Sequence, residues 1–262
     1  MKKYIKLYIC LFKMNVKKMI QYKADTLIGI ASNFLTQFSA FVFIWAVFGY
    51  VERFEKWSYG QILLLYGTFT ICRGLNNIFF DNLWIVGKEY IRRGTFDILV
   101  TRPANVLFQI IGEKVQLDGF GTLVLGIVTF NYGIRKEGMY ISFENLIIWL
   151  GIFLMGTLII AEINLIFTVS SFWVVRSNNI IWMFFSLADF GQYPLDIFGF
   201  GIKCMLTCIL PYGFVAYYPV CAMLGKISHK ILAFELGIVF LFGIISICVW
   251  RMGVKKYEST GN

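Results

Sequence analysis

Seven ionisable side chains fall inside or beside long apolar runs: Arg73, Glu113, Lys114, Asp118, Glu162, Asp189 and Glu235. A charge at the centre of a lipid-facing helix costs about 2.5–3.5 kcal/mol, so each must face protein or water. Counting residues at 1.5 Å apiece places Arg73 about 10 Å, and Glu113 about 13 Å, from the same end of two consecutive helices. Arg73–Glu113 is therefore the expected ion pair, and Lys114 is long enough to snorkel to the interface. Glu162 has Asn164 two residues on and no cation on an adjacent helix. It reads either as part of a substrate path or gate, or as a protonated carboxyl hydrogen-bonded between packed helices. Asp189 precedes Gly191 and Pro194, where a helix loosens and water can enter.

No other chemistry is set out in the chain, and no catalytic residue is expected. His229 is the only histidine, so H-E-x-x-H and paired-histidine sites cannot exist. The six cysteines form no C-x-x-C, and with one histidine they make no metal site. Gly87-Lys88 and Gly225-Lys226 lack the upstream glycine and following hydroxyl of a phosphate-binding loop. Asp118 and Asp189 are the one candidate aspartate pair for intramembrane proteolysis, and their neighbours resemble no such site. Any energy for transport must come from an ion gradient or from another polypeptide.

The elements that position these residues are apolar helices. Of 262 residues 58% are hydrophobic and 15% charged, with a mean hydropathy of +0.71, whereas soluble domains carry about 25% charged residues. The expected fold is an all-α integral membrane protein with six transmembrane helices: 26–50, 59–80, 104–130, 144–173, 180–200 and 231–250. Residues 1–24 place lysines on one helical side and Tyr4, Leu7, Tyr8, Leu11 and Phe12 on the other. That predicts an interfacial amphipathic helix held by anionic membrane lipids, not a cleaved signal peptide. A tight turn is expected at Arg176 to Asn179, and a cytoplasmic tail over 251–262. Fifteen Lys/Arg lie on the side of the N-terminus against seven opposite, which predicts both termini cytoplasmic. The same rule accounts for the net charge of +9, so no nucleic-acid partner is expected. Residues 201–230 are apolar but broken by Pro211 and Pro219, and read as a re-entrant hairpin dipping in from the outer face.

Two classes of function fit: a membrane subunit of a multi-component transporter, or a self-contained channel, secondary transporter or intramembrane enzyme. Residues 26–130 and 144–250 show none of the internal symmetry common in secondary transporters. The connection 81–103 favours the subunit. It reads as two short helices broken at Gly94, the second capped by Thr95 and stopped by Pro103. Phe96, Ile98 and Leu99 would be offered to the cytosol inside a rim of Arg92, Arg93 and Arg102, which marks a docking surface. A helix pair lying on the inner leaflet is the other reading of this stretch.

Three stretches resemble the type-2 ABC transporter permeases, in particular small six-span permeases that work with separate ATPase subunits. They are Arg93-Gly94-Thr-Phe-Asp97-Ile-Leu99 with Arg102-Pro103, Tyr193-Pro194-Leu-Asp-Ile-Phe198, and Ile209-Leu-Pro211-Tyr-Gly-Phe214 with Tyr217-Tyr218-Pro219. Their order and spacing carry the likeness over nearly the whole chain, although Asp189 is not part of the pattern. The resemblance implies that the 87–103 stretch is a coupling helix docking into an ATPase. It also implies an extracellular re-entrant hairpin at 201–230, in a bacterial cytoplasmic membrane. Implied partners are two ATPase copies, which bind the ATP and magnesium, and a second permease chain, diverged or identical. Implied cargoes are lipids, hydrophobic drugs or antimicrobial peptides.

Overall fold

A computed structural model describes residues 2–140, 142–174 and 178–257. Arg176 and Ser177 of the expected turn, and the tail beyond Tyr257, lie outside the described residues. The described chain is almost wholly helical, its one sheet being a two-residue antiparallel ribbon that pairs Arg53 with Ser58 and Phe54 with Trp57. Among the described residues, four helices are long and apolar enough to cross a membrane by themselves: Lys23–Tyr50, Tyr59–Ile91, Phe143–Phe172 and Lys230–Lys256. A bent pair, Phe200–Ile209 and Tyr212–Met223, meets at 78°. The protein is an all-α membrane protein.

Helix α1 (Lys2–Gln21) runs into α2 (Lys23–Tyr50), and after the ribbon comes α3 (Tyr59–Phe80). Ser58 caps α3, its hydroxyl accepting from the Gln61 N–H at 3.1 Å. Most of α3 is buried, with Leu63, Leu64, Leu65, Tyr66 and Phe69 inaccessible to solvent. It is the axis of the bundle. α4 (Phe96–Thr101) and α5 (Val106–Glu113) follow a π-helical turn at Val86–Ile91, and then α6 (Gly119–Lys136) returns along α3. α7 (Phe143–Thr168) and α11 (Lys230–Lys256) complete the spanning set, with α8 (Asn178–Ala188), α9 (Phe200–Cys204) and α10 (Tyr217–Met223) between them.

The α3–α6 contact rests on a repeat. Gly60, Gly67 and Gly74 stand seven residues apart on α3, and Gly119, Gly126 and Gly133 stand seven apart on α6. Small residues repeated along facing seams let membrane helices approach backbone to backbone, where dispersion replaces the missing hydrophobic drive. The approach leaves no room for a side chain. A Cβ on Gly67 would stand 2.6 Å from the Phe130 backbone nitrogen, and one on Gly126 would stand 2.7 Å from that of Ile71.

Two expected spans are corrected. Residues 104–130 are not one helix: α5 ends at Glu113, Lys114 turns extended with φ −138° and ψ 105°, and α6 starts at Gly119. The break is held because the Gln116 N–H donates to the Ile78 carbonyl at 3.1 Å. α5 packs on α1 instead, with Phe108 edge-on to Tyr4 at 5.0 Å and the Asn15 amide donating to the Gly112 carbonyl at 3.3 Å. Residues 180–200 are not one helix either. α8 tightens into a 3-10 turn at Asp189–Gln192 and stops before Pro194, which has no N–H to continue it.

The two ends of the bundle differ. One end carries α1 and the end of α11, and is called here the terminal end. The other carries the loops 51–58, 137–140 and 224–229, and is called the hairpin end. There Lys226 lies over the Trp57 ring at 3.5 Å and donates to Gln61 Oε1 at 2.8 Å, while Glu137 accepts from Gln61 Nε2 at 3.2 Å. Partial burial draws the Lys226 ammonium below its usual pKa. Gly67→Ala or Gly126→Ala should cost about 1–3 kcal/mol through forced separation of α3 and α6. Gly151→Ala, which meets nothing within 4 Å, should be neutral. Thermal unfolding in detergent reads the difference.

Candidate functional site

Arg73 projects from α3 and forms an ion pair with Asp189, at the point where α8 tightens. This corrects the expected Arg73–Glu113 pair. Glu113 accepts from the Tyr90 hydroxyl at 3.0 Å and is exposed at the terminal end. The depth assigned to Glu113 assumed a continuous helix from Ala104, and the break after α5 removes that depth.

The Arg73–Asp189 pair lies in the wall of a cavity of about 290 Å³ between α2, α3, α7, α8 and the start of α6. The wall is polar for its place in an apolar bundle, with Asn33, Asn76, Asn77, Asn164, Asp81 and Asp118 contributing. The Asn164 amide donates to Asn76 Oδ1 at 3.3 Å, and both residues are buried. The Gln116 amide donates to Asp81. Asp118 lies directly over Gly29 of α2, where an added Cβ would sit 2.5 Å from its carboxyl carbon. A polar, partly open cavity in a membrane bundle can hold water or the polar part of a ligand.

Glu162 does not line this cavity. It faces Gly243 of α11, where a Cβ would be 3.1 Å from Glu162 Oε1, and its Oε2 has no hydrogen-bond partner among the described residues. Both carboxyl oxygens of buried Glu235 are likewise without a partner there.

The connection 81–103 folds against the bundle and is not splayed from it. Gly94 breaks it at φ +70°. Thr95 does not cap α4: its hydroxyl donates to the Glu89 carbonyl at 2.8 Å. Phe96 and Leu99, expected to face the cytosol, are 0% and 2% exposed. Phe96 is set among Tyr257 at 4.6 Å, Phe172 at 5.4 Å and Trp250 at 6.4 Å, which ties the connection to the ends of α7 and α11. Residues three apart share a helix face, so 96 and 99 turn inward together. Ile98 and Val100, on different faces of the helix, are 53% and 50% exposed, with exposed Arg92, Arg93 and Arg102. Arg93 pairs with Glu89 one turn back, Asp97 is half-buried, and Pro103 follows exposed. Beside the connection runs a groove of about 620 Å³ lined by Lys18, Lys88, Arg93, Arg102, Glu113 and Lys114, among others.

In the bent pair, the break falls at Leu210–Pro211. Tyr217 donates to Asp196 Oδ2 at 2.8 Å, and Lys203 donates to Asp196 Oδ1 at 2.8 Å. The Tyr218 and Thr207 hydroxyls lie 3.0 Å apart, and Pro219 is buried in α10.

The sequence matches the family described as ABC-2 family transporter protein over residues 34–261, which takes in the connection, the bent pair and all of the cavity wall but Asn33. The chain belongs to that family. No curated protein and no solved structure matches it. As an ABC-2 family member it is a multi-pass membrane transport component, not itself catalytic, of a kind that works with ABC ATPases. Sequence reading missed the glycine seam and the amide-rich cavity. The seven-residue glycine spacing was the signal for the first, and the density of Asn between Asn76 and Asn82 a signal for the second.

Arg73→Ala should destabilise this ABC-2 protein by about 1–3 kcal/mol, less than a fully buried pair because Asp189 is half exposed. Arg73→Ala with Asp189→Ala should lose less than the single change, because neither charge is left alone. Adding Glu113→Ala to Arg73→Ala should give no such rescue. Melting curves of the variants distinguish these outcomes.

Proposed function

We propose that this chain is the membrane-spanning permease subunit of an ATP-driven exporter. It would form the substrate pathway with a second permease chain, a diverged paralogue or itself, and take its energy from two separate ATPase subunits that bind ATP and magnesium. It would reside in a bacterial cytoplasmic membrane with the terminal end, and so both termini, in the cytoplasm. Six crossings follow if α2, α3, the α5–α6 stretch, α7, α8 with its continuation, and α11 each count as one. The bent pair is then an outer re-entrant hairpin, and α1 lies along the inner leaflet.

The observation that carries this reading is the form of the connection. Its inward residues, Phe96 and Leu99, are locked to the ends of α7 and α11, while Ile98, Val100 and three arginines are exposed. An exposed apolar pair with a basic rim is a docking surface, and here it is welded to spanning helices. A partner that pushes on α4 therefore moves α7 and α11 with it, a rigid-body transmission of the closing of two ATPases. The ABC-2 family match supports the ATPase as that partner.

Affinity purification from mild detergent, with every co-purifying protein identified by mass spectrometry, tests the assignment. Recovery of an ATPase is expected, with or without a second permease. Recovery of the chain alone would turn the assignment to a self-contained channel or carrier. Ile98→Asp with Val100→Asp should cut ATPase recovery on the order of 30-fold, the effect of losing about 2 kcal/mol of contact, and leave membrane insertion intact. Phe96→Asp should instead lower the yield of folded chain, because it buries a charge in the aromatic cluster.

A further inference from the structure

We propose that the 290 Å³ cavity seats the zwitterionic headgroup of a membrane amphiphile, with its anionic end toward Arg73 and Asn76 and its ammonium end toward Asp81 and Asp118. This deepens the permease reading and rests on it.

The cavity has unmet hydrogen-bonding capacity of both signs. Asn76 is 2% exposed and lines the wall, yet its Nδ2 has no partner among the described residues, the Oδ1 being taken by Asn164. A buried donor left unpaired keeps its full desolvation cost, so an acceptor belongs beside it. Arg73 carries five N–H donors, and Asp189 engages one of its terminal nitrogens. These two residues present donors to whatever enters. The opposite capacity sits on the carboxylates. Asp81 receives the Gln116 amide and Asp118 rests over the Gly29 backbone, and a carboxylate has about four acceptor sites. Lys114 is close enough to offset part of their charge but does not line the cavity.

Charge then selects the ligand. Around the cavity stand three carboxylates and one guanidinium. A simple anion would meet Arg73 at the cost of Asp81, Asp118 and Asp189. A simple cation would leave the Asn76 amide and the spare Arg73 donors unmatched. A group with an acceptor at one end and an N–H-bearing ammonium at the other satisfies both sets.

The rim indicates that this group is attached to an apolar body. Trp84, Trp182 and Phe185 lie at the cavity, with Trp84 edge-on to Trp182 at 6.4 Å and to Phe185 at 6.3 Å. Trp182 is 60% exposed on α8. Tryptophan favours places where an apolar body meets a polar boundary. At about 290 Å³ the cavity has room for a headgroup, and the chains would remain outside against the exposed faces of α2 and α8.

The test is a fluorescence titration of the full-length purified chain, without ATP, using tail-labelled phosphatidylethanolamine. Identically labelled phosphatidylcholine, phosphatidylglycerol and diacylglycerol serve as comparisons. Phosphatidylethanolamine should bind about tenfold tighter than diacylglycerol and several-fold tighter than phosphatidylcholine, which lacks the N–H donors. Asn76→Leu should weaken it about fivefold or more, and isosteric Asn76→Asp should do the same should the leucine variant fail to fold. Asp118→Asn should abolish the preference over phosphatidylglycerol. Equal binding of diacylglycerol, tightest binding of phosphatidylglycerol, or displacement by a cationic peptide but not by unlabelled phosphatidylethanolamine would each overturn the proposal. Because no ATPase takes part, a failed titration is separate from a failed co-purification.

Discussion

Everything in this bundle is arranged about the approach of α3 to α6. Lipid tails are as apolar as leucine, so burying apolar side chains gives membrane helices little reason to associate. What remains is close contact, and six glycines at seven-residue intervals supply it by removing the side chains that would hold two backbones apart. A seven-residue spacing keeps the seam on one side of both helices through the whole length of the contact. With α3 so encased, α7, α8 and α2 pack around a fixed axis, and the polar residues of α3 are brought to a single cavity on its flank. Arg73 and Asn76 lie away from the glycine seam, whereas Asn77 and Asp81 reach the cavity beside the seam's end, where Gly119 itself lines the wall.

The ends of the bundle are secured by different physics. At the hairpin end, three loops are linked by polar contacts: Lys226 with Trp57 and Gln61, and Gln61 with Glu137. At the terminal end the links are aromatic, with Phe96 held among Phe172, Trp250 and Tyr257. The connection is therefore part of the core on one side and surface on the other. A six-residue helix could not hold this position alone, since isolated helices of that length are unstable in water. Its packing against α7 and α11 provides the order that its length does not.

Much of this was readable from residue types, and the failures of depth and direction share one cause. The apolar runs, the break at Gly94 and the interruption near Pro211 all follow from hydropathy or from backbone rules that act locally. Depth and direction did not. Placing Glu113 beside Arg73 required a straight helix from Ala104, and a backbone hydrogen bond from Gln116 to Ile78, distant in sequence, breaks it. Assigning Phe96 and Leu99 to the cytosol required knowing that nothing covers α4, whereas Trp250 and Tyr257 arrive from the far end of the chain. Arg73 was not matched with Asp189 because α6 and α7 separate α3 from α8 in the sequence. Each error concerned which distant segment lies alongside, information that periodicity within one segment does not contain.

The same glycine seam also decides where this protein can bend. Helices in backbone contact along their length behave as one stiff strut, so α3 and α6 cannot slide or splay without losing the contact as a whole. Deformation collects instead where the main chain is already out of helical register, as in the non-helical stretch Lys114–Asp118 and the loosened turn from Asp189 to Pro194. Those two places contribute Gln116, Asp118 and Asp189 to the cavity wall. Two joints of the molecule thus lie in the lining of its cavity, and flexing at either one reshapes that chamber.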